Sequence, residues 1–202
     1  MKLIAVTDDR QSVKDVAEKI IAIKDVMDYV QIREKSKSVR EIVTLIESLL
    51  ANGVKKEKLI INDRLDVALC MDISTVHLPE HGLPVKMVKE RYPHLRVGCS
   101  VHSFEKAKLA EANGADYVLY GHCFKTNSKQ GLPPNGVEPI LQMKKELNIP
   151  VYAIGGITLE TLPYIQAIEA DGVAIMSSIF AANEPYSITK KFSEAIHNEK
   201  QL

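Results

Sequence analysis

The chain has 202 residues, 46% of them hydrophobic, which fills one core well and is too little for two comfortable domains. A single domain over residues 1–202 is therefore expected. Lys plus Arg and Asp plus Glu number 26 each, so the net charge is zero and there is no electrostatic footprint for nucleic acid or an anionic membrane; a small-molecule partner is favoured.

The N-terminus, MKLIAVTDDR, runs from a short apolar stretch straight into acidic residues, without the long apolar segment of a leader or a membrane span. A cytoplasmic chain is expected. Cys70, Cys99 and Cys123 are odd in number and lack a C-x-x-C spacing, which fits buried thiols in a reducing compartment better than a disulfide framework or a zinc site.

Along the chain, short β-rich apolar runs alternate with stretches of helical period. The runs are LIAVTD (3–8), YVQIRE (29–34), KLIIND (58–63), STVHLP (74–79), RVGCS (96–100), DYVLYG (116–121), VYAIGG (151–156) and DGVAIMS (171–177). Between them lie VKDVAEKIIAIKDV, SVREIVTLIESLLANG, SFEKAKLAEANG and VEPILQMKKELN, several opened by Ser or Thr and closed by Asn or Asn-Gly. The window DRLDVALCMD leaves its helix little more than two turns. After Phe192 the tail SEAIHNEKQL loses its apolar pattern and is expected to fray.

Strictly alternating units imply a parallel sheet, and eight of them with short connections imply closure into a (β/α)8 TIM barrel. An open doubly wound α/β sheet is the alternative, but no G-x-G-x-x-G follows the first strand. The barrel places chemistry at the C-terminal ends of the strands. There the second strand carries Gln31, Arg33 and Lys35 on one face and Ile32 and Glu34 on the other, because side chains alternate. Two inward cations make sense if an anion binds between them. The seventh strand ends in Gly155-Gly156, with a helix expected from Thr158, and the eighth ends in Ser177-Ser178 at another helical start. In barrels this pair of loops commonly holds a phosphate, since glycines let backbone N–H groups approach it.

Gln31-x-Arg33-x-Lys35, Asn62-Asp63-Arg64, Val76-His77-Leu78, Gly98-x-Ser100-x-His102, Ala115-Asp116-Tyr117-Val118, Phe124-x-Thr126, Ala153-Ile154-Gly155-Gly156-Ile157 and Asp171-Gly172-Val173-Ala174 resemble, in order, the motifs of the thiamine phosphate synthase superfamily. The closer likeness is to its thiazole tautomerases, because of two departures from the synthase pattern. Synthases hold Mg²⁺ with an Asp after strand three, matched by Asp63, and a second Asp in an Asp-Gly-Val-His-Leu motif, where this chain has Ser74. A hydroxyl does not replace a carboxylate toward a hard dication, although Glu80 lies close in sequence. The second departure is Gly121-His122-Cys123-Phe124, where synthases usually have Gly-Pro. A proline carries no transferable proton, whereas an imidazole, with a free pKa of about 6.5, takes and gives one near neutrality.

The resemblance implies an isomerase that aromatises a carboxylated thiazole phosphate. His122 would move a proton from the ring carbon bearing the carboxylate to the exocyclic ylidene carbon, without metal or cofactor. It further implies Asn62, Ser100, Thr126, Ser128 and Met176, beside Arg33, Lys35, Gly155, Gly156, Ser177 and Ser178, as substrate-binding residues, and a homodimer. The alternatives are a Mg²⁺-dependent thiamine phosphate synthase and a non-catalytic regulatory binder of thiazole phosphate. Among the other histidines, His77 and His81 straddle Pro79 and cannot share a helical face as metal ligands, His102 lies near a helix start, and His94 and His197 read as surface residues. A Cys123 nucleophile beside His122 is disfavoured because adjacent strand residues point to opposite faces.

Overall fold

The computed structural model describes residues 1–197. Eight strands, β1 (Lys2–Val6), β2 (Tyr29–Ile32), β3 (Leu59–Asn62), β4 (Thr75–Leu78), β5 (Arg96–Val101), β6 (Tyr117–Gly121), β7 (Val151–Ile154) and β8 (Gly172–Ile175), close into one parallel barrel in chain order. Closure is made by β1 on β8, with Leu3 opposite Val173 and Ala5 opposite Ile175. The outer layer is α1 (Val13–Ile23), α2 (Val39–Ala51), α3 (Leu65–Cys70), α4 (Val85–Arg91), α5 (Phe104–Ala112), α6 (Glu138–Glu146), α7 (Leu162–Ala167), α8 (Ser177–Phe180) and α9 (Pro185–His197).

The period of two sorts the strands into two cores. Leu3, Ala5, Val30, Ile32, Val118 and Tyr120 point out against the helices, while Ile4, Val6, Ile60, Tyr117, Leu119 and Tyr152 fill the barrel. Local chemistry at the helix ends follows the sequence. Ser38 and Glu41 form a capping box at α2, and Ser12 and Ser103 cap α1 and α5. Asn52-Gly53 and Asn113-Gly114 end α2 and α5, with both glycines at positive φ.

Two expectations fail here. The helix after β7 begins at Leu162 rather than Thr158, because Thr158 and Thr161 bond to each other's backbone N–H groups and hold that stretch as a turn. The chain stays helical beyond Phe192: α9 continues to His197, since Ile196 stands four residues beyond Phe192 and is buried with it. The remainder of the tail lies outside the described residues.

Candidate active site

The C-terminal rim encloses a cavity of about 740 Å³, well within the usual size for a small-molecule site. Arg33, Lys35, Asn62, Ser100, His122, Thr126, Ser128, Gly155, Gly156, Met176, Ser177 and Ser178 all line it, so every expected site residue reaches one place. Lining residues not singled out from the sequence include Lys125 and Asn127.

The β2 end shows why the cations face the mouth. Glu34 turns away from it and is buried in an ion pair with Lys37, whose Nζ also lies 3.8 Å from Asp9. Asp9 accepts from the Ser36 backbone N–H (3.0 Å) and hydroxyl (2.6 Å), and the Thr7 hydroxyl accepts from the Arg33 N–H (2.8 Å). Burial alone would raise the Asp9 carboxyl, but the Ser36 bonds and the charges of Lys37 and Arg33 bring it below its usual range. The β1–α1 loop thereby clamps the loop that presents Arg33 and Lys35.

Charge in the mouth is one-sided. Arg33, Lys35, Lys125 and Lys129 line the cavity, and none makes a salt bridge among the described residues. The acidic side chain on the lining, Glu80, lies 3.7 Å from Lys106 Nζ and 3.6 Å from His102 Nε2. In a chain of zero net charge this concentration suits a ligand with more than one anionic group.

His122 follows directly on β6. Strict alternation from Leu119 and Gly121 would send it outward; instead the strand ends at Gly121 and the imidazole turns into the mouth. Its Nε2 is buried and has no hydrogen-bond partner among the described residues. The backbone around it is pinned. Asn135 Nδ2 (2.8 Å) and His102 Nδ1 both donate to the Gly121 carbonyl, and the Asn135 N–H donates to the His122 carbonyl (2.9 Å). The loop from His122 to Asn135 is thus closed at its base, carrying Lys125, Thr126, Ser128 and Lys129 over the mouth. Asn135, in Pro-Pro-Asn-Gly, gave no sequence signal beyond a turn.

Cys123 lies in the outer core, and burial pushes its thiol up to about 12, so it is no nucleophile beside His122. Cys99 is raised to about 11 in the same way, while Cys70 is exposed. His77 is wholly buried inside the barrel, and His81 sits on the cavity lining instead of meeting it at a metal. His94 is exposed, as is His197, which bonds the Ser193 carbonyl at 2.7 Å.

One reading of the sequence needs correction. Ser74 precedes the first residue of β4 and is exposed at the N-terminal end of the barrel, so no side chain there meets Asp63 at the mouth. The residue that faces Asp63 is Gly82: a Cβ built on it would stand 2.9 Å from Asp63 Oδ1. The donor set at the mouth is thus the Asp63 carboxylate against a glycine, and among the described residues no three His, Cys, Asp or Glu side chains converge to hold a metal ion. That set does not fit a Mg²⁺ ion held by two carboxylates. The glycine pair also has a second role. Cβ atoms on Gly155 and Gly156 would strike His122 Cβ at 2.4 Å and the Lys125 carbonyl oxygen at 2.5 Å, so the β7 loop is bare where the β6 loop crosses it. Among the described residues the N–H groups of Gly156, Ser177 and Ser178 make no backbone hydrogen bond and remain open to an anion.

Residues 3–179 match the family described as thiamine monophosphate synthase. A putative thiamine-phosphate synthase 2 from Aquifex aeolicus is 38% identical over 180 residues, covering 87% of this chain and 96% of its own. A thiamine-phosphate synthase from Caldivirga maquilingensis is 33% identical, covering 96% of this chain and 95% of its own. Among solved structures, thiamine phosphate pyrophosphorylase from Pyrococcus furiosus superposes with a TM-score of 0.82 at 29% identity, over 98% of this chain and 96% of that one. These names are those of synthases, and they favour the synthase alternative over the expected tautomerase.

Proposed function

The chain belongs to the thiamine monophosphate synthase family, and from that premise we propose that its mouth works as a thiazole tautomerase. The observation that carries this reading is His122, a buried imidazole at the strand end whose Nε2 has no partner among the described residues. An imidazole so placed takes a proton from the ring carbon that bears the carboxylate and returns it to the exocyclic ylidene carbon; gained aromaticity drives the step. The ligand is a thiazole with a phosphate and a carboxylate. Its phosphate lies against the Gly155-Gly156 and Ser177-Ser178 backbone, and its carboxylate faces Arg33 or Lys35. Asn62, Ser100, Thr126, Ser128 and Met176 complete the walls.

The names of the relatives favour a second reading, transfer of a pyrimidine from its pyrophosphate to the thiazole phosphate. The donor set around Asp63 weighs against it, because a pyrophosphate leaving group calls for a divalent cation. One experiment separates the two. The protein is given the non-aromatic thiazole phosphate carboxylate with EDTA, and separately the aromatic thiazole phosphate with pyrimidine pyrophosphate and Mg²⁺. Aromatic absorbance growing in the first tube supports the tautomerase. Thiamine phosphate forming only in the second supports the synthase, and tight binding without turnover in either supports a regulatory binder.

A further inference from the structure

Below the mouth a polar file runs into the barrel. His77, on β4, has no exposed surface, and its two ring nitrogens face different hydroxyls: Nδ1 lies 3.2 Å from Tyr117 Oη and Nε2 lies 2.9 Å from Ser100 Oγ. Ser100 is half-buried and lines the cavity, whereas Tyr117 is wholly buried with its ring beneath the Arg96 guanidinium, 4.7 Å from Cζ to the ring centre. The ring fits because its neighbour on β5 is glycine. A Cβ on Gly98 would stand 1.9 Å from Tyr117 Cζ.

Hydrogen-bond accounting allows one polarity for this file. A neutral imidazole has one donor and one acceptor nitrogen. If Nδ1 carried the proton, it would donate to Tyr117 Oη and leave the phenol O–H without an acceptor, since His77 is its hydrogen-bond partner among the described residues. A stranded donor at a fully buried position is what folded proteins avoid. If Nε2 carries the proton instead, Tyr117 donates to Nδ1 and Nε2–H donates to Ser100. Both buried groups are then satisfied, and the Ser100 hydroxyl hydrogen is left to point at the cavity. A doubly protonated ring would strand the phenol again and bury a cation; burial lowers the His77 pKa to about 3.

We infer that Tyr117 and His77 are positioning residues that fix Ser100 as a hydrogen-bond donor aimed into the mouth, toward an anionic oxygen of the ligand. Ser100 touches the ligand; the other two act through it. The ligand's identity rests on the tautomerase reading, but the polarity of the file does not.

The test begins with side-chain nitrogen NMR on the whole, ligand-free protein. His77 is identified as the histidine whose signals move in Ser100→Ala. It should show a protonated Nε2 and an unprotonated Nδ1, unchanged between about pH 5 and 8, where a free imidazole titrates. A protonated Nδ1, or titration in that range, overturns the relay. Binding of the aromatic thiazole phosphate carboxylate is then measured by calorimetry. Ser100→Ala and Tyr117→Phe should each weaken it about tenfold, as for one lost hydrogen bond to a charged group. The double variant should be no weaker than Ser100→Ala alone, and Ser100→Thr should restore binding. Losses that multiply in the double variant, or full affinity in both single variants, overturn it. The nitrogen pattern with no binding by the unsubstituted protein would instead reject the proposed ligand.

Discussion

Gly155 and His122 pack so closely that a single methyl group would not fit between them: a Cβ on Gly155 would lie 2.4 Å from the His122 Cβ. The glycine sets where the imidazole stands. Gly155→Ala is expected to push the ring outward and lower kcat by ~10-fold to ~100-fold, the scale of a misplacement near 1 Å. Gly156→Ala should instead displace the Phe124–Lys125 backbone and act mainly on KM, because that segment carries Lys125 of the rim. Steady-state kinetics of the two variants check the split. Equal effects on both constants would show that the glycines act only through general stability.

The cations of the mouth, without salt bridges among the described residues, make ligand affinity sensitive to salt. Raising ionic strength toward 1 M shortens the screening length to about 3 Å and should weaken product binding. Lys35→Glu and Lys129→Glu should weaken it further and flatten the salt dependence. Calorimetric titration across salt concentrations checks this; a wild-type slope in both variants would mean that these lysines do not face the ligand.

His77 links the barrel interior to acid stability. Burial lowers its pKa from the ordinary 6.5 to about 3, so below pH 6.5 the unfolded chain binds a proton that the folded one refuses. This contribution to stability is complete above pH 6.5 and is lost progressively as pH falls toward 3. Between pH 6.5 and 4 it amounts to roughly 3 kcal/mol, at about 1.4 kcal/mol per pH unit. Urea midpoints of the wild type should therefore fall more steeply on acidification than those of His77→Gln. Parallel curves would mean that His77 takes up its proton in the folded state.

Since Asp63 faces Gly82 and no second carboxylate stands with it at a shared metal among the described residues, turnover should be indifferent to EDTA and to added Mg²⁺. Initial rates with and without the chelator check this. A strong requirement for Mg²⁺ would favour the synthase reading instead.

The barrel and the mouth were legible in the sequence where local period and strand polarity carry the information. Alternation carried just past the end of β2 puts Arg33 and Lys35 on the cavity lining and Glu34 off it, and the structure adds the buried Lys37 that takes up the Glu34 charge. His122 was legible only as a boundary residue, since a period of two continued from Leu119 would have turned it outward. Ser74 went astray for the opposite reason. A residue that comes before its strand lies at the bottom of the barrel, whatever motif it resembles. Asn135 and Lys125 were illegible because their placement depends on a loop returning to its own base, which no local pattern encodes. Helix α7 began late because two threonine hydroxyls satisfied the N–H groups that a first turn would have used.

The central claim is that His122 moves the proton. Its most direct test follows the aromatic absorbance as the non-aromatic thiazole phosphate carboxylate is converted by wild type and by His122→Gln, with product affinity of both measured alongside. Glutamine keeps a polar side chain of similar reach and removes the imidazole nitrogen that would carry the proton. Turnover is expected to fall by ~10²-fold to ~10⁴-fold, as for a lost acid–base group, while product affinity stays near that of the wild type. Near-full turnover by His122→Gln would contradict the claim, and would leave the buried imidazole as a structural feature of the strand end.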